Sequence, residues 1–172
     1  TLSGKLMELI TVGEAKLEWG QEDMESLFHE IGASLKVIAD NHMMDLSCES
    51  EAGLLCVDRE LFKSLLYNLV DNAIKASREG GCIRVAGKFE EGWFCITVED
   101  EGVGIPEEEI AKITQAFYMV DKVRSRASGG AGLGLALCAE IVSHHQGKMQ
   151  FESRLGEGTR VFIRMKGGKA HA

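Results

Sequence analysis

What this sequence has little of sets the first limits. No run of about eighteen apolar residues occurs anywhere in it, so no segment reads as a membrane-crossing helix. The first thirty residues lack a basic start followed by an apolar stretch, so no signal peptide is expected. Cysteine is sparse: Cys48, Cys56, Cys82, Cys95 and Cys138 are odd in number, widely spaced and never in a CxxC pair. That fits reduced cytosolic thiols, and neither a disulfide scaffold nor a zinc site. Basic residues are outnumbered, 19 against 27 acidic ones, and the formal charge is −8. A general nucleic-acid binder needs a basic footprint, so that class is excluded. Proline occurs once.

Glycine is in excess. It accounts for 20 of 172 residues, well above the usual share of about 7%. Six of these glycines lie between Gly102 and Gly134 and call for a local explanation. The length suits one domain with a short appendage, and 45% apolar residues is enough for a core.

Apolar spacing gives the order of elements. Leu2, Leu6 and Leu9 step like the end of a helix over residues 1–19, and Trp19–Asp23, polar and glycine-bearing, reads as a joint. Leu27, Ile31, Leu35 and Ile38 form one stripe of a helix over 24–43. Two short strand-like pieces follow at Leu46–Cys48 and Leu54–Val57. Asp58 is placed to cap a long helix over 59–78. Beyond Gly80-Gly81 the period becomes two, and residues 83–89 and 93–98 read as a hairpin around Glu90-Glu91-Gly92. Residues 101–131 show little periodicity beyond one helical turn at Glu107–Lys112; so long a loop in a compact domain is usually functional. A helix from about Gly132 to His145 precedes two last strands, Lys148–Ser153 and Thr159–Met165. Hairpins exclude a doubly wound parallel sheet; helices on one face of a mixed sheet, an α+β fold, fit this order.

Three constellations carry chemistry. On the long helix, Asn68, Asn72 and Lys75 fall at i, i+4 and i+7, within roughly 60° of one another beside the apolar arc. Amide oxygen is a hard ligand suited to Mg²⁺, and lysine supplies charge to phosphate. Alone, the stripe better suits the polar edge of an amphipathic helix. Next, Val98-Glu99-Asp100-Glu101-Gly102-Val103-Gly104 brings a strand to an aspartate and then to Gly-x-Gly. A carboxylate there can accept a hydrogen bond from an exocyclic amine such as that of adenine, and glycines let backbone approach a flat ligand. A plain acidic turn would look similar. Third, Gly129-Gly130-Ala131-Gly132-Leu133-Gly134 leads into a helix, a phosphate-binding arrangement. It has neither the lysine of a P-loop nor the spacing and preceding strand of a dinucleotide fingerprint. Lys122, Arg124 and Arg126 just before it make a basic island, which reads as a solvated loop or as phosphate contacts.

In this order the boxes resemble the ATP-binding catalytic domain of sensor histidine kinases, within the gyrase, heat-shock and MutL-like ATPase superfamily. The resemblance covers residues 24–166. It implies a two-layer α/β sandwich of the Bergerat type: a mixed, mostly antiparallel sheet of about five strands with three helices on one face. It implies ATP and Mg²⁺ as cofactors, with Asn72 as the metal ligand and Asn68 and Lys75 near the phosphates as catalytic residues. Asp100 matches the adenine-binding aspartate. Gly102 and Gly104, with Ile105 beside them, match the adenine pocket. Phe117-Tyr118 match the aromatic anchor of a lid whose Lys122, Arg124 and Arg126 are the phosphate candidates. Gly130, Gly132, Leu133 and Gly134 match the phosphate-side glycine box, and Thr159 a threonine near adenine. Ala76 and Met119 depart from the pattern, which often has an aromatic residue and an arginine there.

The acceptor histidine of such kinases is missing. His29, in Phe28-His29-Glu30-Ile31-Gly32, lacks the arginine and proline of that motif and lies only 39 positions before Asn68. The expected layout is a helix stub at 1–20 from a dimerisation and phosphoacceptor domain, the ATP-binding domain at 21–166 and a loose tail at 167–172. The implied function is transfer of the ATP γ-phosphoryl group to a histidine on a dimerisation helix, then to a response-regulator aspartate. The implied protein is a homodimer, the fragment itself a monomer, on the cytosolic side of a membrane-anchored sensor. An anti-sigma-type serine kinase and a non-catalytic nucleotide or partner-binding module are the alternatives. Hydrolytic and serine-kinase relatives carry a glutamate where this chain has Asn68, which argues against the first.

Overall fold

The computed structural model describes residues 17–113 and 134–168. Along the chain come β1 (Trp19–Asp23), α1 (Met24–Asn41), β2 (Asp45–Ser50), β3 (Leu54–Asp58), α2 (Arg59–Ala76), β4 (Cys82–Glu90) and β5 (Trp93–Asp100). A 3₁₀ turn (Glu107–Lys112), α3 (Gly134–His144), β6 (Gly147–Arg154) and β7 (Gly158–Met165) follow.

Helix starts are set by short acids. Asp23 caps α1: its Oδ2 accepts from the Ser26 amide at 3.0 Å and from the Ser26 hydroxyl at 2.9 Å. Those bonds hold its carboxyl below the usual aspartate range. Asp58 caps α2 through Oδ1, which accepts from the Leu61 amide at 3.1 Å. The periodic stripes then decide which face is buried. Leu27, Phe28, Ile31 and Leu35 of α1, and Phe62, Leu65, Leu66, Leu69 and Val70 of α2, are almost wholly enclosed.

Five strands form one sheet in the order β2-β4-β5-β7-β6. Only β2 and β4 run parallel; the other neighbours are antiparallel. Alternation sorts the faces. Ile83, Val85, Phe94, Ile96, Val98, Val161 and Ile163 point to the helices, while Arg84, Glu99 and Arg160 pair on the open side. This is the two-layer α+β arrangement expected, with the core between sheet and helices.

Two local readings need correction. Trp19–Asp23 is not a joint but a strand, antiparallel to β3 in a separate two-stranded ribbon. A five-residue polar stretch has no strand pattern of its own; the apolar Leu54–Asp58 beside it supplies the partner. The two short strands after α1 also part company: β2 joins the main sheet beside β4, and β3 joins the ribbon. Parallel pairing of β2 with β4 requires a crossover, which β3 and α2 provide.

Candidate active site

Helix α2 presents the asparagine stripe. Asn68 is 7% exposed, and its Nδ2 donates to the Ser64 carbonyl at 2.8 Å, which fixes its rotamer and amide orientation. Asn72 sits one turn later and is half-buried. Its Nδ2 is enclosed and has no hydrogen-bond partner among the described residues. A buried unsatisfied amide is costly and rare. Lys75 lies one turn further on, with Nζ 3.0 Å from Asp71 Oδ2. Asp71 therefore faces Lys75 along the helix and orients the ammonium group.

Asp100 ends β5, opposite Thr159 of β7. One carboxylate oxygen, Oδ1, accepts from the Gly102 amide at 2.9 Å and the Thr159 amide at 3.2 Å. Nothing among the described residues donates to the other, Oδ2. Burial pushes the Asp100 carboxyl above the usual range, and the two N–H donors partly offset that.

The glycines here are explained by backbone meeting backbone. A Cβ on Gly102 would lie 2.3 Å from the Ala76 carbonyl oxygen at the end of α2. The Val103 amide donates to that same oxygen at 3.0 Å. Gly104 has φ +76°, and a Cβ there would lie 2.0 Å from the Arg154 carbonyl oxygen. Both glycines are expected to admit close approach of a ligand. The space a side chain would need is filled by the end of α2 and by the β6–β7 hairpin. This contact brings Asp100 to the same end of the sheet as Lys75 and Asn72.

Thr159 and Ile105 share a serine that sequence reasoning missed. Ser153 Oγ accepts from the Ile105 amide at 2.7 Å and donates to the Gly158 carbonyl at 2.9 Å. Its contact with Thr159 Oγ1, 2.8 Å long, must then use the threonine proton. Thr159 Oγ1 is left as an acceptor. Gly158 was also missed: at φ +105°, a Cβ would lie 2.2 Å from the Asp100 carbonyl oxygen. The pair Gly156-x-Gly158 just before Thr159 was the available signal.

Gly134 opens α3, which packs against α2. Phe117, Tyr118, Lys122, Arg124, Arg126, Gly130, Gly132 and Leu133 lie outside the described residues, as does most of the 1–20 stub.

Among the described residues no group of three or more His, Cys, Asp or Glu could hold a metal ion. A hard cation here would rest on the Asn72 amide together with ligand oxygens and water, which suits Mg²⁺ better than Zn²⁺. Asn72 fits that role through Oδ1 alone; its Nδ2 is a donor that no described residue satisfies, and it is left to an acceptor such as a phosphate oxygen.

Comparison with known proteins agrees with this fold. Residues 57–169 match the family described as histidine kinase-, DNA gyrase B- and HSP90-like ATPase. The chain is 33% identical over 159 residues to the sensor-like histidine kinase SenX3 of Mycolicibacterium smegmatis, covering 91% of this chain and 41% of that protein. It is 40% identical over 107 residues to the sensor histidine kinase WalK of Bacillus subtilis, covering 61% of this chain and 18% of that protein. It therefore spans less than half the length of these relatives. The nucleotide-free catalytic domain of histidine kinase ThkA superposes with a TM-score of 0.73 at 26% identity, over 87% of this chain and 95% of that one. ThkA in complex with the response regulator TrrA superposes with a TM-score of 0.77 at 26% identity, over 95% of this chain and 46% of that one.

Proposed function

The chain belongs to the histidine kinase-, DNA gyrase B- and HSP90-like ATPase family, and from that premise we propose that it is the ATP-binding catalytic domain of a sensor histidine kinase. It binds ATP, and transfers the γ-phosphoryl group to an imidazole nitrogen on a dimerisation helix outside residues 17–168. The phosphoryl group then passes to an aspartate of a response regulator. The residues that precede β1 connect the domain to that dimerisation domain, and the domain works in the cytosol within a homodimer.

The observation that carries this reading is the carboxylate of Asp100. One oxygen is committed to two backbone amides and the other is left to a ligand. That pattern suits a single exocyclic amine, as adenine has. Thr159 Oγ1 adds an acceptor beside it. Gly102 and Gly104 hold this floor against α2 and the β6–β7 hairpin, so the adenine end is preorganised.

At the other end, Asn72 and Lys75 offer an amide and an ammonium to the phosphates. Bound Mg²⁺ would spread the charge on the phosphate oxygens. Lys75, oriented by Asp71, adds fixed positive charge, and Lys122, Arg124, Arg126, Gly130, Gly132 and Gly134 are the further candidates for phosphate contact. In the transfer the imidazole lone pair forms the P–N bond as the bond to the ADP oxygen breaks, so no strong base is required in this domain. Asn68, pinned by Ser64 and unable to take a proton, is consistent with that and with slow hydrolysis.

Calorimetric titration with ADP and ATP, with and without Mg²⁺, followed by transfer to a supplied dimerisation domain, tests the reading. Submillimolar, adenine-selective binding and a labelled histidine are expected. No binding at millimolar nucleotide refutes it.

A further inference from the structure

His145 is fully enclosed, and no step above uses it. Its two ring nitrogens are both engaged. The Asp58 amide donates to Nε2 at 3.1 Å, so the ring proton sits on Nδ1 and is donated to the Ile141 carbonyl at 2.7 Å. Three chain segments meet around this ring. Trp19 of β1 packs edge-on against it, with centroids 4.8 Å apart. Asp58, whose amide it accepts, also takes the Glu18 amide on Oδ2 at 2.9 Å while capping α2 through Oδ1. The C-terminal segment closes the third side. The Gly167 amide donates to the His145 carbonyl at 2.9 Å, and a Cβ on Gly168 would lie 2.1 Å from the Trp19 ring.

We propose that His145 is the acceptor in a proton-operated latch: while neutral it fastens the start of α2, with Trp19 of β1 packed on its ring, to the end of α3, and when protonated it loosens that junction and weakens the hold on β1. An imidazolium has two donors and no acceptor, so its Nε2–H would oppose the Asp58 N–H. The Asp58 carboxylate cannot easily compensate, because it already serves Glu18 and Leu61.

The surroundings favour the neutral ring. Burial is the main cause holding the imidazole below the usual histidine range, and neighbouring His144 pushes the same way; His144 itself faces Glu140 at 3.9 Å. The Ile141 carbonyl and the Asp58 carboxylate push the other way and are outweighed. A histidine whose pKa is depressed in the closed state stabilises that state fully above its free value, about 6.5, and progressively less below it. Each pH unit below that value raises the open-to-closed ratio by roughly tenfold, until the closed-state ring also titrates. The latch therefore controls how firmly β1 is attached to the domain, in mildly acid conditions and without unfolding the five-stranded sheet.

Amide hydrogen exchange of the whole chain at about pH 7.5 and 5.5, corrected for intrinsic rates, tests this. The β1 amides are expected to be less protected than those of Ile96 and Val98 in β5, and to lose roughly tenfold in protection at the lower pH. His145→Gln can accept from Asp58 and donate to Ile141 without titrating, so its β1 protection should be flat across this range. His145→Phe loses both bonds and should expose β1 at both pH values. The proposal is overturned if wild-type β1 protection does not change with pH. It is also overturned if β1 and β5 exchange with equal protection, or if His145→Gln keeps the acid-induced loss. Wild type and His145→Gln decide the matter even if His145→Phe does not fold.

Discussion

Asp100→Asn separates recognition from folding at one atom. In the wild type, Oδ1 holds the Gly102 and Thr159 amides at 2.9 and 3.2 Å, and Oδ2 is the group offered to the adenine amine. The variant amide has one orientation open to it. With its oxygen at the Oδ1 position it keeps both backbone bonds; flipped, it would set an NH₂ against two N–H donors and lose both. The retained orientation places NH₂ where Oδ2 was, so donor meets donor at the nucleobase. A hydrogen bond to a charged acceptor contributes about 1.5–3 kcal/mol, so ADP affinity should fall by roughly 10- to 150-fold. The fold should hold or gain slightly in stability, because burial disfavours the charge that is removed. Calorimetry reads the affinity and thermal unfolding the stability. Inosine diphosphate, which has a carbonyl in place of the amine, is the control: the wild type should discriminate strongly against it and the variant weakly. ADP binding within twofold of wild type, with the fold intact, would remove Asp100 from the nucleobase site.

Three further outcomes follow. Asn72→Ala removes an amide with an unsatisfied buried nitrogen, so thermal stability should be unchanged or slightly raised while Mg²⁺-dependent transfer to a supplied acceptor domain is lost; retained transfer would take Asn72 out of the metal site. Gly104→Ala puts a side chain at φ +76°, and its Cβ 2.0 Å from the Arg154 carbonyl oxygen. Urea unfolding should show a loss of at least about 2 kcal/mol, and a loss under about 1 would mean that the hairpin yields freely. Lowering the pH should weaken ADP binding, although protonation of Asp100 by itself favours the fold. The Asp100 carboxyl is raised above 3.8 by burial, so its ionisation costs folding stability as pH rises but creates the acceptor. Asp100→Asn should abolish the pH dependence of binding; its persistence would assign the effect to another group.

Much of the site was readable because its boxes are local. Asn68, Asn72 and Lys75 share a face by the geometry of one helix, and Asp100 ends a strand that alternates plainly. Asp58 as a cap, and the apolar stripes of α1 and α2, follow from propensity and period alone. Trp19–Asp23 was misread because a polar strand is defined by its partner and not by its own composition. Ser153 and Gly158 were passed over because their roles, holding Ile105 and clearing room for the Asp100 carbonyl, involve residues 48 and 58 positions away in sequence.

The sequence by itself determined the elements, the face each one buries and the chemistry available at the site, because hydrophobic period, capping and side-chain type act within a few residues. Only the tertiary structure decided what the glycines are for. Gly102, Gly104 and Gly158 are required by carbonyl oxygens from α2, β6 and β5 that pass within 2.0–2.3 Å of where a Cβ would stand. Only the fold, likewise, could turn His145, in sequence one of two adjacent histidines at the end of a helix, into the buried acceptor that joins the beginning of the domain to its end. Such contacts depend on where distant backbone runs, and no local pattern encodes that.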